Sequence, residues 1–324
     1  MQVLHQLPAQ NNPKLLIGSA ANDDAGIYLL NDDSALVQSV DFFTPVVDDA
    51  YSYGQIAAAN SLSDIYAMGG KPITALNILG YPNEIIPNTI VTNILKGASE
   101  TFSKANCATL GGHTINLPEP IFGAAVTGIV NPTKLLQKNK ATPEDLIILT
   151  KPLGIGILTT AVKREVSISK NMPKVLSIMK QLNSAGPDLA SIGINTGTDI
   201  SGFGLIGHLS SICSASNCSA ELWHDNIPVI DNSVYDLIKK NCIPGGSIKN
   251  KLSADKITNW GKFPEPLRII MSDAQTSGGL LICTPKHLVS LVSEKIFMHG
   301  GSVNIIGKIT EKSSNQISIL KSND

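Results

Sequence analysis

The chain has 324 residues, which at roughly 150 residues per domain argues for two domains and a core that needs no disulfide or metal staple. Its 43% hydrophobic and 16% charged residues describe a well-buried globular protein and exclude a disordered one. With 25 basic against 26 acidic residues and 5% aromatics, it has neither a positive field for a nucleic-acid backbone nor rings for base stacking, so nucleic acid is excluded as the main partner.

In chain order, Ala25–Leu30 and Ala35–Val40 read as strands joined by the turn Asn31-Asp32-Asp33, the second closed by Asp41. Asp48 and Asp49 are candidate N-caps for a helix from about Tyr51 to Met68, stopped by Gly69-Gly70-Lys71-Pro72. Ile73–Leu79 is a strand. Ile86, Ile90, Ile94, Ala98 and Phe102 recur at i+4 and form one ridge of an amphipathic helix. Cys107–Leu110 and Ile121–Val130 are the remaining strands of this half. Interleaved strands and helices predict an α/β or α+β layer. Asn131-Pro132-Thr133 and the polar stretch Gln137–Glu144 mark the boundary between domains 1–132 and 133–324. Beyond it come strand Leu146–Thr150, the turn Pro152–Gly156, a helix, a second helix near Lys174–Ile192, and Thr198-Asp199. Strand Gly279–Cys283, a helix after Pro285, and strand Ser302–Ile306 follow.

Cys107, Cys213, Cys218, Cys242 and Cys283 form an odd set without a CxxC pair, which speaks against a disulfide framework and for a reducing cytoplasm. No signal-peptide pattern is present, and no apolar run approaches the 18 or so residues that span a bilayer, so a soluble protein with no membrane partner is expected. No GxxxxGK[ST] loop occurs. Gly202-Phe203-Gly204-Leu205-Ile206-Gly207 spells GxGxxG, but Thr198-Asp199-Ile200-Ser201 stands where a Rossmann turn needs an apolar strand. A helix start, with His208 packed or at the surface, is the better reading.

The chemistry lies in aspartates at the ends of elements: Asp23-Asp24 before a strand, Asp41 after one, Asp64 inside a helix, and Asp199 opening the glycine-rich turn. Each alone reads equally as a turn former, cap or solvated charge. Asp64 resists that reading, because its helix is apolar on most sides and aspartate is a poor mid-helix residue. Asn60, one turn earlier, shares its face but cannot neutralise it. No Lys or Arg occurs between Lys14 and Lys71, so no cation nearby in sequence offsets the cluster. Two carboxylates about 4 Å apart repel by roughly 4 kcal/mol at an effective dielectric of 20. Hard cations with phosphate co-ligands would relieve this, which points to Mg²⁺–nucleotide phosphoryl transfer. Gly111-Gly112-His113-Thr114 is a candidate phosphate-approaching turn or an ordinary tight turn, and Asp273–Gly279 is similar.

Several stretches together resemble selenophosphate synthetase (selenide, water dikinase). They are Asp23-Asp24-Ala25, Val40-Asp41-Phe42-Phe43-Thr44-Pro45-Val46-Val47-Asp48, Ile56–Pro72, Gly111–Thr114, Pro118–Gly123, Thr150–Gly156, Thr198–Leu209 and Asp273–Leu281. The resemblance runs from about Leu15 to Ile306. It implies a two-domain aminoimidazole ribonucleotide synthetase-like fold, with the N-terminal sheets of two protomers forming a dimeric barrel and a C-terminal α/β sandwich. It also implies synthesis of selenophosphate from ATP, selenide and water, releasing AMP and orthophosphate. Carried over by motif, Asp24, Asp64 and Asp199 match ligands of Mg²⁺, while Asn22, Asp23, Asp41, Asp64, Gly112, His113 and Thr114 match contacts of ATP. Asn22 stands where relatives often carry a basic residue.

Relatives also carry a reactive Cys or selenocysteine followed by a Lys, upstream of the stretch Asn12-Pro13-Lys14; neither is in this sequence. A selenocysteine codon read as a stop accounts for this, as does a natural variant. The polypeptide as written is expected to bind Mg²⁺–ATP but make little selenophosphate alone. Competing readings are a non-catalytic nucleotide-binding paralogue and another kinase or synthetase of the superfamily.

Overall fold

The computed structural model describes residues 11–166 and 171–322. Residues 15–130 build a six-stranded sheet from β1 (Leu15–Ile17), β2 (Gly26–Asn31), β3 (Ser34–Phe43), β4 (Lys71–Tyr81), β5 (Ala108–Asn116) and β6 (Ile121–Val130), with helices α1 (Ala50–Ala67) and α2 (Asn88–Lys104). The strand order is β1-β2-β3-β6-β4-β5, antiparallel except for the β4–β5 pair. Alternation along β3 buries Ala35 and Val37 beneath α1 and leaves Val40 and Phe42 exposed on the opposite face. Tyr28 and Leu76 are exposed as well, leaving a broad apolar outer face.

Helix α1 starts where the Asp49 carboxylate accepts the Ser52 N–H at 2.8 Å. It ends at Gly69, whose φ of +77° suits glycine. It is buried on nearly every side because it packs against α2, β3 and β6 and also against elements of the second half.

The second half forms a seven-stranded sheet. Its strands are β7 (Leu146–Leu149), β8 (Thr196–Asp199), β9 (Ser219–Trp223), β10 (Thr258–Asn259), β11 (Leu280–Thr284), β12 (Asn304–Thr310) and β13 (Ile317–Leu320). Their order is β10-β13-β9-β12-β7-β11-β8. The helices are α3 (Ile155–Lys163), α4 (Met172–Lys180), α5 (Gly186–Ser191), α6 (Gly204–Ser216), α7 (Ser233–Lys239), α8 (Gly245–Ala254), α9 (Glu265–Met271) and α10 (Val289–Met298). Helices α4 and α5, with strand β8, close over α1.

Four expectations are corrected. Asp41 does not close its strand, since β3 runs on to Phe43. The expected helix over Lys174–Ile192 is two helices, broken where the Asn183 side chain turns in to donate to Ser63 Oγ (2.8 Å) and the Gly278 carbonyl (2.9 Å). Gly111-Gly112-His113-Thr114 is not a turn after a short strand; it continues β5 along β4, and all nine residues of β5 are exposed. Gly111 takes φ +137°, a conformation open to glycine, beside a register shift between Ala75 and Leu76. A strand, β8, does precede the GxGxxG turn, but it pairs antiparallel with β11 and builds no parallel βαβ unit. The helix-start reading of α6 stands, and His208 is buried, its Nε2 accepting the Ser201 N–H at 3.1 Å.

Candidate active site

Two rungs link β3 to α1. Ser39 and Asp41 lie two apart on the strand and point to the same face; Asn60 and Asp64 lie one turn apart on the helix. Ser39 Oγ donates to Asp64 Oδ2, and Asn60 Nδ2 donates to Asp41 Oδ2. From the second half, Asp199 at the end of β8 accepts from Ser63 Oγ at 2.6 Å. Its neighbour Thr198 Oγ1 donates to Asp24 Oδ1 at 2.9 Å. Asp24 also receives Lys138 Nζ at 2.6 Å, and Asp23 lies 4.0 Å from the same ammonium. The Asn22 carbonyl accepts from Lys138 Nζ at 3.3 Å. Asn22, in the left-handed conformation (φ 51°), therefore contributes its backbone.

Burial raises every carboxyl of this group. Asp23 is pushed up to about 6 by burial and by Asp24 beside it. Burial, then the charge of Asp24, takes Asp199 to about 7. Asp64 is raised well above the ordinary range, first by burial and then by repulsion from Asp199 and Asp24. Asp41 is raised by burial against its bond from Asn60. Asp24 is raised by burial, with Lys138 and Thr198 acting the other way. For Lys138, burial alone would favour the neutral amine, but Asp24 and Asp23 outweigh it and hold the ammonium charged.

The donor set suits a hard divalent cation. It is all oxygen, mutually repelling, and includes Asp24 Oδ2, a buried atom with no hydrogen-bond partner. Among the described residues no three His, Cys, Asp or Glu side chains gather around a single point. Each carboxylate is instead held by its own protein donor.

Loops of the second half brace the cluster. Ser277 N–H donates to Asn60 Oδ1 at 2.8 Å, so Asn60 links this loop to Asp41. The Ser277 carbonyl accepts from Lys151 Nζ at 2.9 Å, and Gln181 O accepts from the same ammonium at 2.7 Å. Asp273 accepts from Ser247 Oγ (2.8 Å), the Ile157 N–H (3.2 Å) and Gln275 Nε2 (3.0 Å), yet burial pushes it up to about 7.

These shifts have a measurable consequence. Between about pH 4 and pH 7, the folded state keeps protons on Asp273, Asp199 and Asp23 that the unfolded chain has released, so stability falls as pH rises. Two groups work in the opposite sense against these three acids: His208, held down to about 3 by burial, and Lys151, held down to about 7 by burial, the latter only from about pH 7 upward. In EDTA the melting temperature should therefore be several degrees higher at pH 5.5 than at pH 7.5. A melt that rises over that interval would contradict the burial of these acids in the folded state.

The structure thus brings together Asn22, Asp23, Asp24, Asp41, Asp64 and Asp199. It does not bring Gly112, His113 and Thr114 to them within one chain. Gly112 pairs with Asn77, which pairs with Ala124, which pairs with Asp41. That row spans three strand spacings, about 14 Å. No cation nearby in sequence offsets the cluster, but one distant in sequence does: Lys138, from the polar stretch read as the domain boundary, 114 residues from Asp24. No local pattern distinguishes it from Lys134 or Lys140. Ser39, Ser63, Asn183 and Thr198 were also missed, because a hydroxyl or amide carries no signal until its partner is known. A groove of about 400 Å³, lined by Thr44, Asp48, Thr159, Lys163 and Thr276 among others but by none of the clustered aspartates, has a volume that admits a small molecule.

Residues 22–130 match the model of the AIR synthase related protein N-terminal domain, and residues 142–319 match that of the C-terminal domain. The fold agrees. A thiamine-monophosphate kinase from Stenotrophomonas maltophilia K279a superposes with a TM-score of 0.69 at 16% identity, covering 95% of this chain and 92% of that one. The hydrogenase maturation protein HypE in complex with ATP gives 0.71 at 14% identity, covering 97% and 88%. Fold and matched domains define an AIR synthase-related protein. Among full-length relatives, the selenide, water dikinase of Sulfurovum sp. (strain NBC37-1) is 42% identical over 95% of this chain and 89% of its own. That of Carboxydothermus hydrogenoformans is 41% identical over 95% and 90%. The chain belongs to the selenide, water dikinase family.

Proposed function

We propose that this protein is an ATP-dependent phosphotransferase that makes selenophosphate from selenide and water, releasing AMP and orthophosphate. The observation that carries this reading is the convergence of Asp24, from the loop before β2, with Asp41 of β3, Asp64 of α1 and Asp199 of β8 into one buried cluster. Asp24, Asp64 and Asp199 would hold Mg²⁺, whose charge lets a polyphosphate settle among carboxylates. Asn22, Asp23 and Asp41 face the nucleotide. Ser39, Asn60, Ser63 and Thr198 fix the carboxylate orientations beforehand, so little reorganisation is left for the moment of transfer.

The protein acts as a cytoplasmic homodimer. The exposed apolar face of the six-stranded sheet and the open edge of β5 support pairing of two such sheets. In that assembly Gly112, His113 and Thr114 complete the nucleotide site of the second protomer. The domains meet at residues 132 and 133. Among the described residues, no helix is long and apolar enough to cross a membrane.

All five cysteines are buried, so none presents a thiolate to selenide. The family resemblance implies that in relatives a Cys or selenocysteine followed by a Lys handles the selenide; residues 1–10, which carry neither, lie outside the described structure. The buried cysteines favour a second reading for this polypeptide alone, nucleotide binding without transfer. Phosphorus NMR with ATP, Mg²⁺ and selenide separates the two. Preceded by a Cys–Lys segment, the chain should yield selenophosphate and AMP, whereas the chain by itself should bind Mg²⁺–ATP and yield little of either. ATP bound by both forms with no selenophosphate from either would establish the non-catalytic reading.

A further inference from the structure

Lys138 is placed too deliberately for a linker residue. It sits in the short turn Lys138–Lys140 between the two sheets, against α6 and β8. Its backbone is clamped at both ends: its carbonyl accepts from Ser216 Oγ at 2.8 Å, and its N–H points to Asp23 Oδ2 at 3.4 Å. The ammonium lies between Asp24 Oδ1 (2.6 Å), the Asn22 carbonyl (3.3 Å) and Asp23 Oδ1 (4.0 Å). The side chains of Lys138, Asp23 and Asp24 are only 9%, 7% and 5% exposed. Among the described residues, it is the one ammonium in ion-pair contact with the cluster. Asp24 Oδ1 is shared between Lys138 and Thr198, whereas Oδ2 is buried and has no partner.

We propose that Lys138 is a positioning residue that serves as a built-in counter-cation. It stabilises Asp24 in the metal-free protein, where a lone buried carboxylate beside Asp64 and Asp199 would be costly. It also competes with a divalent ion for Asp24. One positive charge within the cluster weakens the hold on a free ion, so tight ion binding requires the added negative charge of the nucleotide's phosphates. The ion and the nucleotide are thereby taken up together rather than the ion alone. This rests on the reading of the carboxylates as a cation site.

The test measures free Mn²⁺ by electron paramagnetic resonance over the full chain, with and without ATP. The variants are Lys138→Met, which keeps the apolar stem, and Lys138→Arg, which keeps the charge. Without ATP, Lys138→Met should bind Mn²⁺ at least about tenfold more tightly than wild type, and Lys138→Arg should match wild type. In EDTA, Lys138→Met should melt several degrees lower, and Mn²⁺ should restore it. If Lys138→Met does not fold in EDTA, folding recovered in millimolar Mn²⁺ supports the inference, and failure to recover overturns it. Folded Lys138→Met with unchanged or weaker Mn²⁺ affinity also overturns it. Wild type that binds no Mn²⁺, with or without ATP, would instead sink the cation-site reading itself.

Discussion

Replacing Asp64 with asparagine should lower the affinity for Mg²⁺–ATP at least about a hundredfold while leaving the fold intact and the metal-free protein more stable. The two effects share one cause. Asp64 lies in the middle of a buried helix, and burial together with Asp199 and Asp24 raises the cost of its charge. Asparagine removes that charge, yet its Oδ1 can still accept the hydroxyl of Ser39, the bond that now holds the carboxylate. Relief of like-charge repulsion should raise the melting temperature in EDTA by a few degrees. The same change deletes a candidate ligand for the ion that bridges the phosphates. Calorimetry with ATP and Mg²⁺ measures the loss, and a thermal melt in EDTA measures the gain. Unchanged ATP affinity would remove Asp64 from the metal set.

The second large effect is on folding. Gly54→Ala should cost about 3 kcal/mol or more, although in an ordinary helix this exchange gains roughly 1 kcal/mol. A Cβ at Gly54 would stand 1.9 Å from the carbonyl oxygen of Ile94, and one at Gly97 would stand 2.1 Å from that of Tyr51. The two glycines let the backbones of α1 and α2 touch, and backbone cannot turn aside as a side chain can. Separating the helices would displace the row Asn60, Ser63 and Asp64, so nucleotide binding should fall along with stability. Urea denaturation provides the measurement. A wild-type midpoint for Gly54→Ala would mean that the helices do not meet this closely.

The first half was readable because its signals are local. The helix stops at Gly69-Gly70, the cap Asp49 and the alternation in β3 each act within a few residues, and the elements fall close to where they were expected. The break between α4 and α5 was not readable. It arises because Asn183 bonds to Ser63, 120 residues away in sequence, and helix propensity carries no record of such a partner. Gly111-Gly112 misled for a related reason: paired glycines commonly end a strand, but here β4 continues alongside and supplies the hydrogen bonds that keep β5 extended.

From the sequence alone, the types of chemistry were settled: a nearly neutral, well-buried α/β chain with isolated aspartates at element ends, one of them in an apolar helix where a charge needs a reason. That follows because composition, periodicity and the cost of burying charge are properties of short stretches. Only the tertiary structure decided what the aspartates do together. It placed Asp24 against Thr198, Asp41 against Asn60 and Asp199 against Ser63, set Lys138 as their counter-charge, and left Gly112–Thr114 on the far edge of the same sheet. Coulomb energy depends on distance in space, and residues more than a hundred positions apart acquire that distance only when the chain folds.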